Sequence, residues 1–143
     1  MNPDFFYESV TIRRILRFLL LVWTLITCYL TLMPGSMLGH VTIFQYDKVG
    51  HAGMFFGWTL LLGLSRLHKR DLNNTFLLIT LITGMAFGGL IEFLQWAMPF
   101  QRDPDIKDFV ADTIGSWSAF ILLTFLRERV HAFTTHHTQM SKN

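Results

Sequence analysis

The sequence contains little charge and a single cysteine, and these shortages narrow the class of protein. Charged residues make up only 15% of the 143 residues, with a formal net charge of +2, so nothing indicates binding to nucleic acid. Cys28 cannot form a disulfide within the chain, and a lone thiol in an apolar segment usually packs as a small hydrophobic group. The sequence also lacks a glycine-rich phosphate loop and a nucleophile-elbow motif.

Apolar residues are abundant instead. They make up 51% of the chain, and phenylalanine alone occurs 14 times, which is more apolar surface than a soluble domain of this size can bury. Four apolar stretches, at 15–33, 49–67, 76–98 and 109–126, approach the roughly 20 residues that a membrane helix needs. The second and fourth are marginal, since each begins with polar residues. We predict an all-α fold in which residues 1–143 form one integral membrane four-helix bundle in up-down order.

The basic residues predict how this bundle is oriented. Nine arginines and lysines lie near the start of the first stretch, after the fourth, or from the end of the second stretch to the start of the third, whereas three lie in the other two loops. The positive-inside rule therefore predicts cytoplasmic termini, with the loops 34–48 and 99–108 on the outer side. Arginines precede the first stretch as in a signal peptide, but no small-residue cleavage site follows it, so we expect a retained helix.

Ionisable side chains begin the second helix. Asp47 and His51 are four residues apart and share a helix face, where a carboxylate can fix the tautomer of a histidine. Ionisable groups at membrane depth are costly and usually face a bundle interior. An ordinary helix start remains the alternative, with Asp47 stabilised by the helix dipole.

The third helix carries a stripe that is first small and then polar. Gly84, Gly88 and Glu92 repeat every four residues, and Gln95 follows three residues later. Glycines allow another helix to approach closely, which would shield Glu92 from lipid. The alternative is a neutral glutamate that is hydrogen-bonded to a neighbouring helix. We expect helices 2, 3 and 4 to meet through the glycines at positions Gly53, Gly57, Gly84, Gly88 and Gly115.

The fourth helix places Asp108, Asp112 and Gly115 on one face. Asp108 is a good helix N-cap, because aspartate often precedes an apolar helical segment. Asp112 lies a full turn further on, so capping does not explain it. Three helices therefore bring acidic or histidine groups to one depth near the outer face of the membrane.

This convergence predicts a functional site. The catalytic candidates are His51, Glu92 and Asp108, and the substrate-binding candidates are Asp47, Lys48, Gln95, Arg102 and Asp112. Lys48, Arg102 and Lys107 can balance negative charge or contact a phosphate. No pair has a zincin or EF-hand spacing, so the sequence specifies neither a metal nor a cofactor. The adjacent His136 and His137 near the end of the chain are not assigned a metal site.

These residues also resemble a known family. Residues 47–51, Asp-Lys-Val-Gly-His, resemble the D-K-x-x-H signature of VanZ-like membrane proteins, and Glu92 with Gln95 resembles their E-x-x-Q. Arg102, followed six residues later by Asp108 and then by Asp112 and Gly115, resembles a third pattern, in which the family often has asparagine where this chain has Asp112. The short segment 31–34, Thr-Leu-Met-Pro, is also similar. Together these motifs cover most of residues 30–120.

The resemblance implies a protein of the bacterial inner membrane, in a family whose namesake is associated with resistance to the glycopeptide teicoplanin.

Three functions remain open. The site binds a lipid or a lipid-linked cell-wall precursor through its head group; or it belongs to a membrane-embedded hydrolase or transferase that acts on such a substrate at the outer leaflet; or it relays protons in a carrier. In the enzyme, His51 would be the general base or nucleophile, Asp47 its orienting group and Glu92 the general acid. A carrier of four helices would need to form an oligomer.

Overall fold

The structure is a computed structural model that describes residues 10–33, 47–66, 73–98 and 105–140. Within these ranges it contains four α-helices and no strand, which confirms the all-α prediction. The helices are α1 (Val10–Leu32), α2 (Asp47–Ser65), α3 (Asn74–Ala97) and α4 (Ile106–Met140). Each covers most of one of the four apolar stretches.

The ends of α4 differ from the prediction. The helix continues to Met140, because a helix needs backbone hydrogen bonds rather than apolar side chains once it has passed the apolar segment. Past that segment, Arg129 lies over the ring of Phe125 at 4.9 Å. The helix begins at Ile106 rather than at 109, because its N-cap is Asp105 and not Asp108. The Asp105 carboxylate accepts a hydrogen bond from the Lys107 amide at 2.9 Å, and its carbonyl accepts from the Asp108 amide at 2.8 Å.

Three of the helices are long and apolar enough to cross a membrane. The segments are Thr11–Leu32 of α1, Asn74–Ala97 of α3 and Ile106–Arg129 of α4. The described part of α2 does not qualify, since its 19 residues begin with Asp47, Lys48 and then His51. A fourth crossing by α2 therefore remains a prediction.

The distribution of side chains is the reverse of that in a soluble bundle. Large apolar groups point outward, among them Phe18 at 63% exposed, Ile121 at 64% and Phe93 at 57%. The buried positions include many polar ones, namely Thr27, Thr31, His51, Thr59, Ser65, Thr80, Gln95, Asp108, Asp112 and Ser116. An apolar exterior around a partly polar interior is what a lipid environment requires, because polar side chains must find partners away from the hydrocarbon. The chain is therefore an integral membrane protein.

Small residues bring α2, α3 and α4 together, as the sequence predicts. A Cβ on Gly115 of α4 would overlap the backbone of α2 at Ala52 and Phe56, so the two helices are in backbone contact there. Gly84 of α3 likewise leaves room for the side chains of Thr59 and Ser116.

Two of the predicted glycine contacts differ. Gly57 lies against Trp23 of α1 rather than against α3 or α4. The prediction for Gly53 was wrong, because a Cβ there would meet no atom of the described residues within 4 Å. Its spacing to Gly57 resembles a packing motif, but Gly53 is on the exposed side of α2.

The contacts also define the relative directions of the helices. His51 lies opposite Asp112 and Gly63 lies opposite Leu123, so α2 and α4 run in the same direction. Gly88 of α3 faces Asp112, whereas the earlier Gly84 faces Ser116, so α3 runs in the opposite direction. The beginnings of α2 and α4 therefore meet the end of α3, which is where the sequence concentrates its ionisable residues.

Candidate functional site

Lys48 joins the first turn of α2 to the start of α4. Its Nζ donates hydrogen bonds to Asp108 Oδ1 at 2.9 Å and to Asp105 Oδ2 at 3.2 Å. The Lys48 and Asp105 side chains are 48% and 41% exposed, whereas that of Asp108 is only 8% exposed. The charge of Lys48 is thus shared between two carboxylates at the rim of the site.

This ion-pair network changes the titration of the two exposed groups, which lie just outside the membrane-spanning segments. Hydrogen bonds to Asp108 and Asp105 raise the pKa of the Lys48 ammonium above its ordinary value. The Lys107 amide, followed by Lys48, lowers the pKa of the Asp105 carboxyl. Both shifts favour the charged forms, so the network is an ion pair near neutral pH.

A second pair lies deeper, between α2 and α4. His51 Nδ1 and Asp112 Oδ1 are 2.9 Å apart, with the two side chains 2% and 0% exposed. With Asp112 ionised and the ring proton of His51 on Nδ1, Nδ1 donates this hydrogen bond. The other ring nitrogen, Nε2, is 3.9 Å from Asp108 Oδ2, which is too long for a hydrogen bond. Asp112 therefore fixes the orientation of the imidazole and leaves Nε2 on the side of Asp108.

Glu92 comes from the third helix. Its Oε2 accepts a hydrogen bond from the backbone amide of Asp105 at 3.1 Å, so α3 contacts the N-terminal end of α4, where a negative charge is favoured. Its Oε1 is buried and accepts no hydrogen bond within the part of the chain that the structure describes. The hydrogen bond to Asp105 matches the alternative in which a neighbouring helix satisfies the glutamate, but it uses only one of the two oxygens.

Three ionisable groups, of which His51 and Asp112 are buried and Glu92 is partly exposed, converge on one point. His51, Glu92 and Asp112 each offer one ligand atom, and these atoms lie within 4.8 Å of one another. Gly88 makes this possible, since a Cβ at that position would lie 3.0 Å from the Cβ of Asp112 and press on its carboxylate. The stripe of Gly88 and Glu92 on α3 thus provides both the space and the third functional group.

The remaining site predictions have different outcomes. Gln95 is buried, and its Nε2 donates to the Thr31 carbonyl of α1 at 2.8 Å, so it links α1 to α3; a role in substrate binding remains a prediction. The side chain of Asp47 and all of Arg102 lie outside the described residues. Asp105 was not among the predicted site residues, although it caps α4 and contacts both Lys48 and Glu92. Its position directly after Pro104 was the available signal, because the sequence Asp-Pro-Asp favours a break in regular structure just before a helix.

Comparison with known proteins agrees with the sequence motifs. A family model described as VanZ/LLP1 matches residues 6–127, which is most of the chain. No curated protein and no solved structure gives a significant match.

Proposed function

The chain belongs to the VanZ/LLP1 family, and from this premise we propose that it binds the polar head group of a lipid or lipid-linked cell-wall precursor in the bacterial inner membrane. The observation that carries the proposal is the convergence of His51, Glu92 and Asp112 from three helices, with His51 and Asp112 buried. Buried ionisable groups within a membrane protein are costly to keep unless they serve a ligand or a reaction.

The proposed arrangement has four membrane-spanning helices in up-down order and both termini in the cytoplasm. The order is supported by the opposite directions of α3 and α2, and the orientation by the distribution of arginine and lysine. In this arrangement α2 crosses the membrane within the bundle, where its polar first turns contact α4 rather than lipid. The charged groups then lie near the outer face, where envelope precursors are used.

The site is suited to polar, hydroxyl-rich or amine-containing head groups. Its carboxylates are hydrogen-bond acceptors for hydroxyl and ammonium groups, which are common in sugars and amino acids. Lys48 already contacts Asp105 and Asp108, so a phosphate at this site requires a further positive charge.

A catalytic function is the second candidate, and the hydrogen bond between His51 and Asp112 favours it. A carboxylate that orients an imidazole is the usual arrangement for a general base. In this alternative, a hydrolase or transferase at the outer leaflet, His51 takes a proton from the attacking group and Glu92 acts as the acid. Asp112 holds the imidazole in this alternative, and an orienting role for Asp47 remains a prediction.

The test uses the purified wild-type protein, Glu92→Gln and a matched control, Glu128→Gln, which makes the same change at an exposed position of α4. Each is incubated with bacterial envelope lipids, and both bound and newly formed species are read by mass spectrometry. We expect the wild type and Glu128→Gln to retain a lipid or precursor that Glu92→Gln loses.

The outcomes separate the two functions. A new product made by the wild type and the control, and not by Glu92→Gln, would establish the enzyme. Equal lipid retention by all three proteins without product would contradict both candidates. A cell-wall precursor as ligand also predicts altered glycopeptide susceptibility in cells that express the wild type, compared with cells that express Glu92→Gln.

A further inference from the structure

We propose that His51, Glu92 and Asp112 form a binding site for one divalent metal ion of the zinc or manganese type. The three residues come from α2, α3 and α4, and their potential ligand atoms lie within 4.8 Å of one another. The inference rests on the proposed function, because it concerns the same site. The metal ion would supply the positive charge that a phosphate head group requires there.

The donor set matches this class of ion. One imidazole nitrogen and two carboxylate oxygens suit zinc, manganese or ferrous iron better than the all-oxygen ions calcium and magnesium. Ligand atoms stand about 2.0 to 2.2 Å from such an ion, so a separation of under 4.8 Å can be closed by small side-chain rotations. Three protein ligands also leave coordination positions open for water or for an oxygen of a head group.

The charge of the site gives a second, independent reason. Oε1 of Glu92 is buried and accepts no hydrogen bond in the described ranges, an arrangement that is costly for a carboxylate. Asp112 brings a second carboxylate that is fully buried, and Asp108 lies 3.9 Å from the imidazole. The neighbouring ammonium of Lys48 is bound to Asp105 and Asp108 at the rim. A divalent ion would neutralise Glu92 and Asp112 together and give Oε1 a partner.

The metal also explains how an acidic site can hold an anionic head group. The carboxylates alone would repel a phosphate, whereas a bound divalent ion attracts it. The ion can also polarise a carbonyl oxygen of the head group. Binding of the ion would replace the hydrogen bond between His51 and Asp112, because the two ring nitrogens point in different directions and an ion on Nε2 would lie too far from Asp112. His51 Nδ1 and Asp112 Oδ1, which are 2.9 Å apart, would then both be ligands, and Nε2 would carry the ring proton on the side of Asp108.

The test measures metal content directly and needs no known lipid. Protein without an affinity tag is stripped with EDTA and dialysed against zinc, and bound zinc is measured by atomic emission after gel filtration. His136→Gln/His137→Gln is the background for every protein, so that the adjacent tail histidines cannot contribute. We expect about one zinc per chain in this background, and a loss of affinity of at least about tenfold in Glu92→Gln and in Asp112→Asn.

Glu128→Gln in the same background is the matched control and should keep its zinc. If all the variants bind equally, or if the background protein binds none, the proposal is wrong. Cobalt provides a measurement that needs no site variant: the proposal predicts visible absorption bands of a low-coordinate nitrogen and oxygen site in the background protein. An octahedral aqueous spectrum would overturn it.

The two proposals can fail separately. Zinc at the site without any lipid retention or product would leave the metal site standing and remove the proposed function. Glu92-dependent lipid binding by protein that holds no zinc before or after dialysis would leave the function standing and remove the metal, with protons as the neutralising charge.

Discussion

The two ends of the α2–α4 interface are built from the same kind of close helix contact but bury opposite kinds of side chain. At the charged end, defined by His51, Glu92, Asp108 and Asp112 together with Lys48 and Asp105, the interior is ionisable. At the apolar end, Gly63 of α2 receives the side chain of Leu123, which is 1% exposed. Leu77 and Leu81 of α3, each 2% exposed, lie toward the same end.

The comparison shows that close packing has a different purpose at each end. At the apolar end, a glycine accommodates a neighbouring side chain that can change rotamer. At the charged end, Gly115 sits directly on the backbone of α2, and Gly88 makes room for Asp112. The close approach there fixes the relative positions of functional groups, whereas at the apolar end it fills space. Substitutions that add volume at the charged end should therefore destabilise the fold strongly. Isosteric substitutions that remove a charge there should destabilise it little.

The largest expected effect tests the rigidity of the charged end. Gly115→Ala places a Cβ against the backbone of Ala52 and Phe56, which no rotamer change can relieve, so we expect destabilisation above about 3 kcal/mol. Gly63→Ala meets only the flexible end of Leu123 and should cost less, about 1 to 3 kcal/mol. The fraction folded during titration with sodium dodecyl sulfate in mixed micelles measures both.

Gly53→Ala is the control, because a Cβ at that position meets nothing within 4 Å. It should be neutral or slightly stabilising, since alanine favours helix by about 1 kcal/mol over glycine. If Gly63→Ala proved more costly than Gly115→Ala, the assignment of the rigid contact to the charged end would be wrong.

The next effect separates stability from function. Leu123→Ala removes a buried side chain from the apolar end and should cost roughly 2 to 3 kcal/mol through the cavity it leaves. Lipid and zinc binding per folded molecule should be unchanged, because Leu123 lies far along α4 from Asp112. Glu92→Gln should show the reverse, with loss of binding and an unfolding midpoint close to that of the wild type. Loss of ligand in folded Leu123→Ala would show that the two ends are coupled.

The sequence predicted most of the residues that form the charged end, but not all the contacts between them. The spacing of Gly84, Gly88 and Glu92 placed the glutamate correctly on the face toward α4, because a four-residue repeat marks one side of a helix. The partner of His51 was not predictable in the same way. His51 contacts Asp112, on a different helix, which the spacing did not pair with it, whereas the pairing with Asp47, one turn away, stays a prediction because that side chain lies outside the described residues. Such contacts depend on how helices are rotated against each other, which local spacing does not encode.

The start of α4 shows the same limit on a smaller scale. Both Asp105 and Asp108 suit an N-cap, and the apolar stretch favoured the later one. The structure uses Asp105, so Asp108 lies inside the helix and accepts a hydrogen bond from Lys48. A cap is decided by backbone geometry across a turn, and composition alone does not distinguish two aspartates that are three residues apart.

The smallest expected effect concerns the rim, where the charged end meets water. Lys48→Gln removes the ammonium that contacts Asp105 and Asp108. Because Lys48 and Asp105 are exposed, the loss of stability should be slight and should diminish with added salt.

The pKa of Asp105 is lowered in the folded protein, so its contribution to stability is present near pH 7 and is lost as the pH falls through that depressed value. The pKa of Lys48 is raised, so its contribution is lost only in strong alkali. Thermal midpoints of the wild type and Lys48→Gln should therefore differ near pH 7 and approach each other as the pH falls through the lowered pKa of Asp105. A difference that persisted in acid would mean that Lys48 stabilises the rim by packing, and the distinction between an ionic rim and a buried site would then rest on His51, Glu92 and Asp112 alone.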